Sequence, residues 1–331
     1  MKKHLVICAT FFLISSAFSQ TNNTSQDTLS RDSLKNTLIN DSSKNLSPDA
    51  ASLTNLSSAA PTAKSKTNAE SVFNKKTNGV LINKNNSPYK THFVTDGLVI
   101  TAAVATTLAG YTLIKNKNDL TPAELATKTK DKLPFFDRGI AGNYSTQANK
   151  DSYILFDASY VIPVAMIFIN KNERTKAGQL ITLYVETIGI TGAMYTLTAG
   201  LVYRSRPFVY GDKAPLDKRL DKGGQRSFYG GHVATTAAAT FLTAKIFSDF
   251  NPNSKLRPYI WAASGILTAS MAYMRMQAGY HFFSDCVLSA AIGTATGILI
   301  PSLHKNKNFE KISMAPEMIN GNAGMHLTYR F

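Results

Sequence analysis

Cysteine is nearly missing from this chain: among 331 residues only Cys8 and Cys286 occur. Cys8 lies in a short apolar run, Leu5 to Ile14, that comes after Lys2 and Lys3 and precedes the small residues Ala17 and Ser19. That pattern is a secretory signal peptide over 1–19, and its cleavage leaves Cys286 alone. An intramolecular disulfide and a cysteine-rich metal site are thereby excluded. Acid is scarce as well, with 21 Asp and Glu against 36 Lys and Arg, a formal net charge of +15. The excess sits in lysine-bearing loops, without the Arg-rich stripe or interleaved aromatics that grip nucleic acid. No nucleic-acid partner is expected; anionic lipid or a phosphorylated substrate suits such a surface outside the cytosol. Residues 20–90 have few aromatic or β-branched apolar side chains and many Ser, Thr, Asn and Lys. They cannot bury enough surface to offset ordering entropy, and a disordered tether is expected there.

Residues 91–305 are one domain's worth of chain, built from six apolar segments: 93–114, 153–170, 177–203, 232–247, 256–276 and 282–303. They are too long for strands and too uniformly apolar for surface helices, so the fold class expected is all-α, a six-helix bundle. Several are long enough to span a bilayer, although Asp96, Asp157, Glu186, Lys245 and Asp285 interrupt them. A soluble bundle with a very apolar core is the other reading. In the tail, 306–331, Asn320-Gly321 signals a turn and HLTYRF a strand, so a small C-terminal β-hairpin is expected.

Three clusters carry chemistry. YRSRPF supplies Arg204 and Arg206, whose forked guanidinium groups suit phosphate oxygens. RSFYGGHV sets Gly230, Gly231 and His232 before a small-residue run, where a helix start offers unpaired N–H groups to an anion. MRMQAGYHFFSD contains Arg275, His281 and Asp285. On a helix, His281 and Asp285 would share a face at i and i+4, so that the carboxylate could hold one ring nitrogen and free the other. Each cluster alone has a plain structural reading: a cap, a loop, a satisfied histidine.

Together and in this order they resemble the type 2 phosphatidic acid phosphatase superfamily, which also includes bacterial nonspecific acid phosphatases and vanadium haloperoxidases. Its pattern is Lys, six residues, Arg-Pro; then Pro-Ser-Gly-His; then Ser-Arg, five residues, His, three residues, Asp. Arg206-Pro207, Gly231-His232, Arg275, His281 and Asp285 match it, over roughly residues 90 to 305. The resemblance implies phosphomonoester hydrolysis without a metal or other cofactor, through a phosphohistidine. His281 would be the nucleophile, Asp285 the group that orients it, and His232 the acid and then the base. Arg206, Arg275, Arg204 and the amides of Gly230 and Gly231 would hold phosphate. The substrate implied is a lipid phosphate or a small phosphomonoester. The protein would be exported to a bacterial-type cell envelope and membrane-embedded or membrane-associated, its site facing the periplasm. Four positions depart from the pattern: Ala199 stands for its lysine, Tyr229-Gly230 for Pro-Ser, and Met274 for the serine. Arg204, Lys222 and Arg226 are near enough in sequence to compensate. Two other functions stay open: a catalytically impaired envelope protein that binds phosphate, and a vanadate-dependent haloperoxidase.

Overall fold

A computed structural model describes residues 87–306 together with the strand segments 312–319 and 322–329. The expected signal peptide and all but the last four residues of the expected tether lie outside the described residues. Those four, 87–90, pack onto the domain: Tyr89 is buried, its hydroxyl donates to Asp249 at 2.8 Å, and Lys90 N–H donates to the His304 carbonyl.

The helical class is what the structure shows. The long helices are α1 (Phe93–Lys115), α2 (Thr146–Ile169), α3 (Ala177–Leu201), α4 (Gly231–Phe250), α5 (Arg257–Gln277) and α6 (Phe283–Leu303). Four short helices fill the connections, Pro122–Ala126, Phe135–Arg138, Lys171–Arg174 and Leu216–Leu220. The apolar segment from 153 understates α2, which starts at Thr146 because the Ser145 side chain accepts the Ala148 N–H and caps it. Its first turn is polar, so apolar patterning alone could not reveal it. Toward the C-terminus, Ile312–Ile319 and Asn322–Tyr329 pair antiparallel, Ile312 opposite Tyr329 and Ile319 opposite Asn322. The Asn320-Gly321 turn itself is outside the described residues.

α4 is the central helix, with seventeen of its twenty residues buried. Toward α6 it presents Ala234, Ala237 and Ala238, and the backbones approach to the limit. A Cβ on Gly293 would lie 2.1 Å from the Ala234 carbonyl oxygen, and one on Gly297 2.5 Å from that of Ala238. α1 is peripheral, burying Asp96, Ala103, Gly110 and Ile114 alone. A cluster of polar side chains ties its start to two other helices: His304 Nε2 lies 3.4 Å from Asp96 and 3.3 Å from Glu186. Four helices, α1, α2, α3 and α6, are long and apolar enough to cross a membrane, and they leave Leu98, Ile154, Ile169 and Leu303 exposed.

Between α2 and α3, the buried Glu173 has Oε1 without a hydrogen-bond partner, and burial pushes its carboxyl up to about 8. The native state therefore holds a proton that the unfolded chain releases near 4.5. This contribution to stability is complete below about 4.5 and is lost as pH rises through about 8. Glu173→Gln should accordingly flatten the pH profile, matching wild type at pH 5. At pH 9 its midpoint should be higher by about 5 °C, equivalent to roughly 1–2 kcal/mol in a domain of this size. Thermal unfolding in detergent at the two pH values checks it.

Candidate active site

The site assembles at one end of the bundle, where α3 ends, α4 begins, α5 ends and α6 begins. Two loop segments form its floor. Arg206 N–H donates to the Gly224 carbonyl at 2.7 Å and Ser227 N–H to the Arg204 carbonyl at 2.9 Å, so 204–206 and 224–227 lie side by side. Lys117, arriving from the end of α1, locks this pairing. Its buried ammonium donates to the carbonyls of Val202 and Gln225 at 2.7 and 3.2 Å. Burial, then the charges of Arg226 and Arg206, lowers its pKa to about 8.

His281 is buried in the turn before α6, not within the helix. The expected i, i+4 pair with Asp285 therefore does not form. The backbone is extended at Phe282, the N-cap, and its N–H donates back to Asp285 Oδ2 at 3.0 Å. The His281 Nδ1 partner is instead the Ser227 carbonyl at 2.7 Å. A carbonyl can only accept, so Nδ1 carries the proton and Nε2 presents a lone pair. Burial first, then Arg275 and Arg206, holds this ring well below the ordinary imidazole pKa, keeping it neutral. Asp285 acts at one remove: its Oδ2 accepts from Ser227 Oγ at 2.6 Å, fixing the residue whose carbonyl orients the ring.

Arg204 does not serve as a phosphate ligand. One guanidinium nitrogen pairs with Asp285 Oδ1 and the other with Asp137 Oδ2 at 2.7 Å. Asp137, fully buried on the short helix 135–138, also accepts from Ser284 N–H at 3.0 Å and Ser284 Oγ at 2.7 Å. Arg204 thus bridges two buried carboxylates, a fork used for structure.

The other two arginines meet at one ring. Arg206 and Arg275 are both buried, and their guanidinium carbons lie 4.4 and 4.1 Å from the centroid of the Tyr280 ring. Arg275 donates to Asn149 Oδ1 at 2.8 Å and Ser152 Oγ at 3.0 Å, and both arginines keep Nε without a partner. Among the described residues neither pairs with a carboxylate, because Asp137 and Asp285 are spent on Arg204. Burial, then Arg226, lowers the Arg206 pKa to about 10.

His232 opens α4, buried against Phe156 (ring centroids 4.2 Å apart) and Tyr153 (5.1 Å), within electrostatic reach of Arg275, His281 and Arg206. Its Nε2 has no hydrogen-bond partner. The Gly230 amide is not free for phosphate, since it donates to Ser289 Oγ at 2.7 Å. A Cβ on Gly230 would meet Ser289 Oγ at 3.1 Å and the His281 ring at 3.3 Å, so a serine here must displace a neighbour slightly. At Gly231 a Cβ would press on the Tyr195 ring at 2.9 Å. Ala199 is fully buried. Lys222 turns away, its ammonium donating to the Lys115 carbonyl at 2.8 Å, and so does not replace the lysine missing there.

Sequence reasoning missed Ser227, Asp137, Tyr280 and Ser289. Only Tyr280, directly before His281, had a signal available: an aromatic amid the arginine-bearing motifs.

Among curated proteins none matches the chain. The chain is similar to a crystal structure described as the first transmembrane PAP2 type phosphatidylglycerolphosphate phosphatase from Bacillus subtilis. The two share 18% identity over 64% of this chain and 92% of that one, with a TM-score of 0.36. The family model described as PAP2 superfamily matches residues 180–309, the span that holds Arg204, Arg206, His232, Arg275, His281 and Asp285.

Proposed function

We propose that this protein is a membrane-embedded phosphatase of the cell envelope that hydrolyses phosphomonoesters, a lipid phosphate foremost, through a phosphohistidine on His281. One observation carries the reading: two buried guanidinium groups without a carboxylate partner among the described residues stand around a neutral histidine whose Nε2 is unprotonated. Burying such charges unpaired is costly, so the pocket is built to receive an anion.

In the first half-reaction the His281 Nε2 lone pair forms a bond to phosphorus while the bond to the ester oxygen breaks, and His232 gives its proton to the departing alkoxide. In the second, His232 takes a proton from water, whose oxygen forms a bond to phosphorus as the P–N bond breaks. Arg206 and Arg275 stabilise the equatorial oxygens, joined by the N–H groups of Gly231, His232 and Val233, which have no partner within the first turn of α4. Arginines and amides supply the positive field here, so no divalent cation is required of the mechanism. Four helices long and apolar enough to cross a membrane, α1, α2, α3 and α6, support a lipid phosphate as the substrate.

The test is release of inorganic phosphate from a soluble phosphomonoester by the detergent-solubilised chain. Activity should persist in EDTA and fall with vanadate, which imitates the pentacoordinate transition state. Activity lost on chelation and restored by zinc or magnesium would overturn the mechanism. A second reading, phosphate binding without turnover, is favoured by the loss of Arg204 and the Gly230 amide from the pocket. Vanadate binding without phosphate release would establish it.

A further inference from the structure

Three cations converge on one ring. Besides the guanidinium groups of Arg206 and Arg275, the Lys218 ammonium lies 5.6 Å from the Tyr280 centroid. The same ammonium is 5.1 Å from the Tyr144 ring and 5.9 Å from that of Phe208. Lys218 belongs to the short helix Leu216–Leu220 in the loop between α3 and α4. Tyr280 is buried and immediately precedes His281, so this ring holds the cations next to the nucleophile.

Aromatic faces and a phenol oxygen attract cations but carry no net charge, and each such contact is modest. They position the three positive groups without neutralising them. Burial would raise the phenol's pKa, yet Arg206, Lys218 and Arg275 together outweigh it and the net shift is downward. The three cations differ in freedom. Arg206 and Arg275 are buried, whereas Lys218 is partly exposed on a flexible four-carbon stem and rests against the rings of Tyr280, Tyr144 and Phe208. It is the arm that can move onto a ligand.

We propose that Lys218 is the third cationic arm of the phosphate pocket, kept beside it by Tyr280, and that it selects dianionic phosphomonoesters over monoanionic diesters. The inference rests on the phosphatase reading above. The chemistry is charge matching: the second negative charge of a monoester meets the ammonium, whereas a diester leaves the ammonium without a second charge to pair with. Tyr280 is a positioning residue, acting through Lys218 and the two arginines.

The experiment uses the full chain in detergent, with an aryl phosphate monoester as substrate and orthovanadate and an aryl methyl phosphate diester as inhibitors. Lys218→Gln should raise KM for the monoester and Ki for vanadate about ten- to a hundredfold, the worth of one charged hydrogen bond. Its kcat and the diester Ki should stay within about threefold. Lys218→Arg should restore most of the loss, and Tyr280→Phe should move the same constants in the same direction by less. Lys218→Gln with KM and vanadate Ki within twofold of wild type overturns the proposal. So does an equal loss for monoester and diester, or a kcat collapse that Lys218→Arg does not rescue. Wild-type protein that neither hydrolyses the monoester nor binds vanadate overturns the phosphatase reading itself, a different outcome from an inert Lys218 in an active enzyme.

Discussion

His281→Ala should abolish turnover and phosphoenzyme formation together, a loss of about 10⁴-fold or more, as for removal of a nucleophile from a group of residues acting as one. His232→Ala should slow catalysis by about 10²–10⁴-fold and let the phosphoenzyme accumulate, since the proton donor and the base that activates water are the same group. Acid-labile labelling from a phosphorus-radiolabelled monoester, quenched in alkali, separates the two variants. The asymmetry comes from the hydrogen bonds: the Ser227 carbonyl fixes the proton on His281 Nδ1, and His232 Nε2 has no competing partner. Equal residual activity in both variants, with no trapped intermediate in either, would falsify the assignment.

The second large effect is on stability and concerns the arginine two residues before Arg206. Arg204→Ala should cost about 3–5 kcal/mol, because it strands the buried carboxylates of Asp137 and Asp285 without a counter-charge. Arg206→Ala should do the reverse. It removes a buried guanidinium that has no carboxylate partner among the described residues, so the fold should be as stable as wild type or more so, while kcat/KM falls about 10²–10³-fold. Denaturation midpoints and kinetics measured on both variants decide the matter. A destabilised Arg206→Ala beside a native-like Arg204→Ala would reverse the roles given to the two arginines.

The motif order, the helical class and the two arginines that meet at Tyr280 were legible because each is local. A helix shows its apolar length, and Arg206-Pro207, Gly231-His232 and Arg275 with His281 are short strings. The illegible part depends on chain segments meeting across the fold. Asp137 bonds Ser284 from 147 positions away, and Lys117 reaches Gln225 over 108; no spacing rule encodes either. The His281–Asp285 pair was misread for a local reason. Helical i, i+4 geometry holds only inside a helix, and the chain does not become helical until Phe283, one residue after the cap. Asp285 then obeys the ordinary preference of a carboxylate in a first turn, accepting the N–H groups exposed there, and only a serine between it and the histidine connects the two. Arg204 was misassigned because two arginines two residues apart look alike in sequence; which of them meets carboxylates depends on Asp137.

The contact of α4 with α6 at Ala234 and Ala238 against Gly293 and Gly297 has a bearing on rate. His232 lies in the first turn of one of these helices and His281 shortly precedes the other, so the spacing between the two histidines, the proposed proton donor and nucleophile, is gauged by where two main chains touch. In most cores a side chain of the wrong size leaves a hole or a bulge that its neighbours absorb. At Gly293 and Gly297 the facing atoms are main-chain ones and the methyl of Ala237, none of which can turn aside, so a single added methyl there should shift one helix against the other. A displacement of about 1 Å at a reacting centre is worth about a hundredfold in rate. On the proposed mechanism, this seam of alanines and glycines, carrying no chemistry of its own, is the gauge that keeps the two histidines in register.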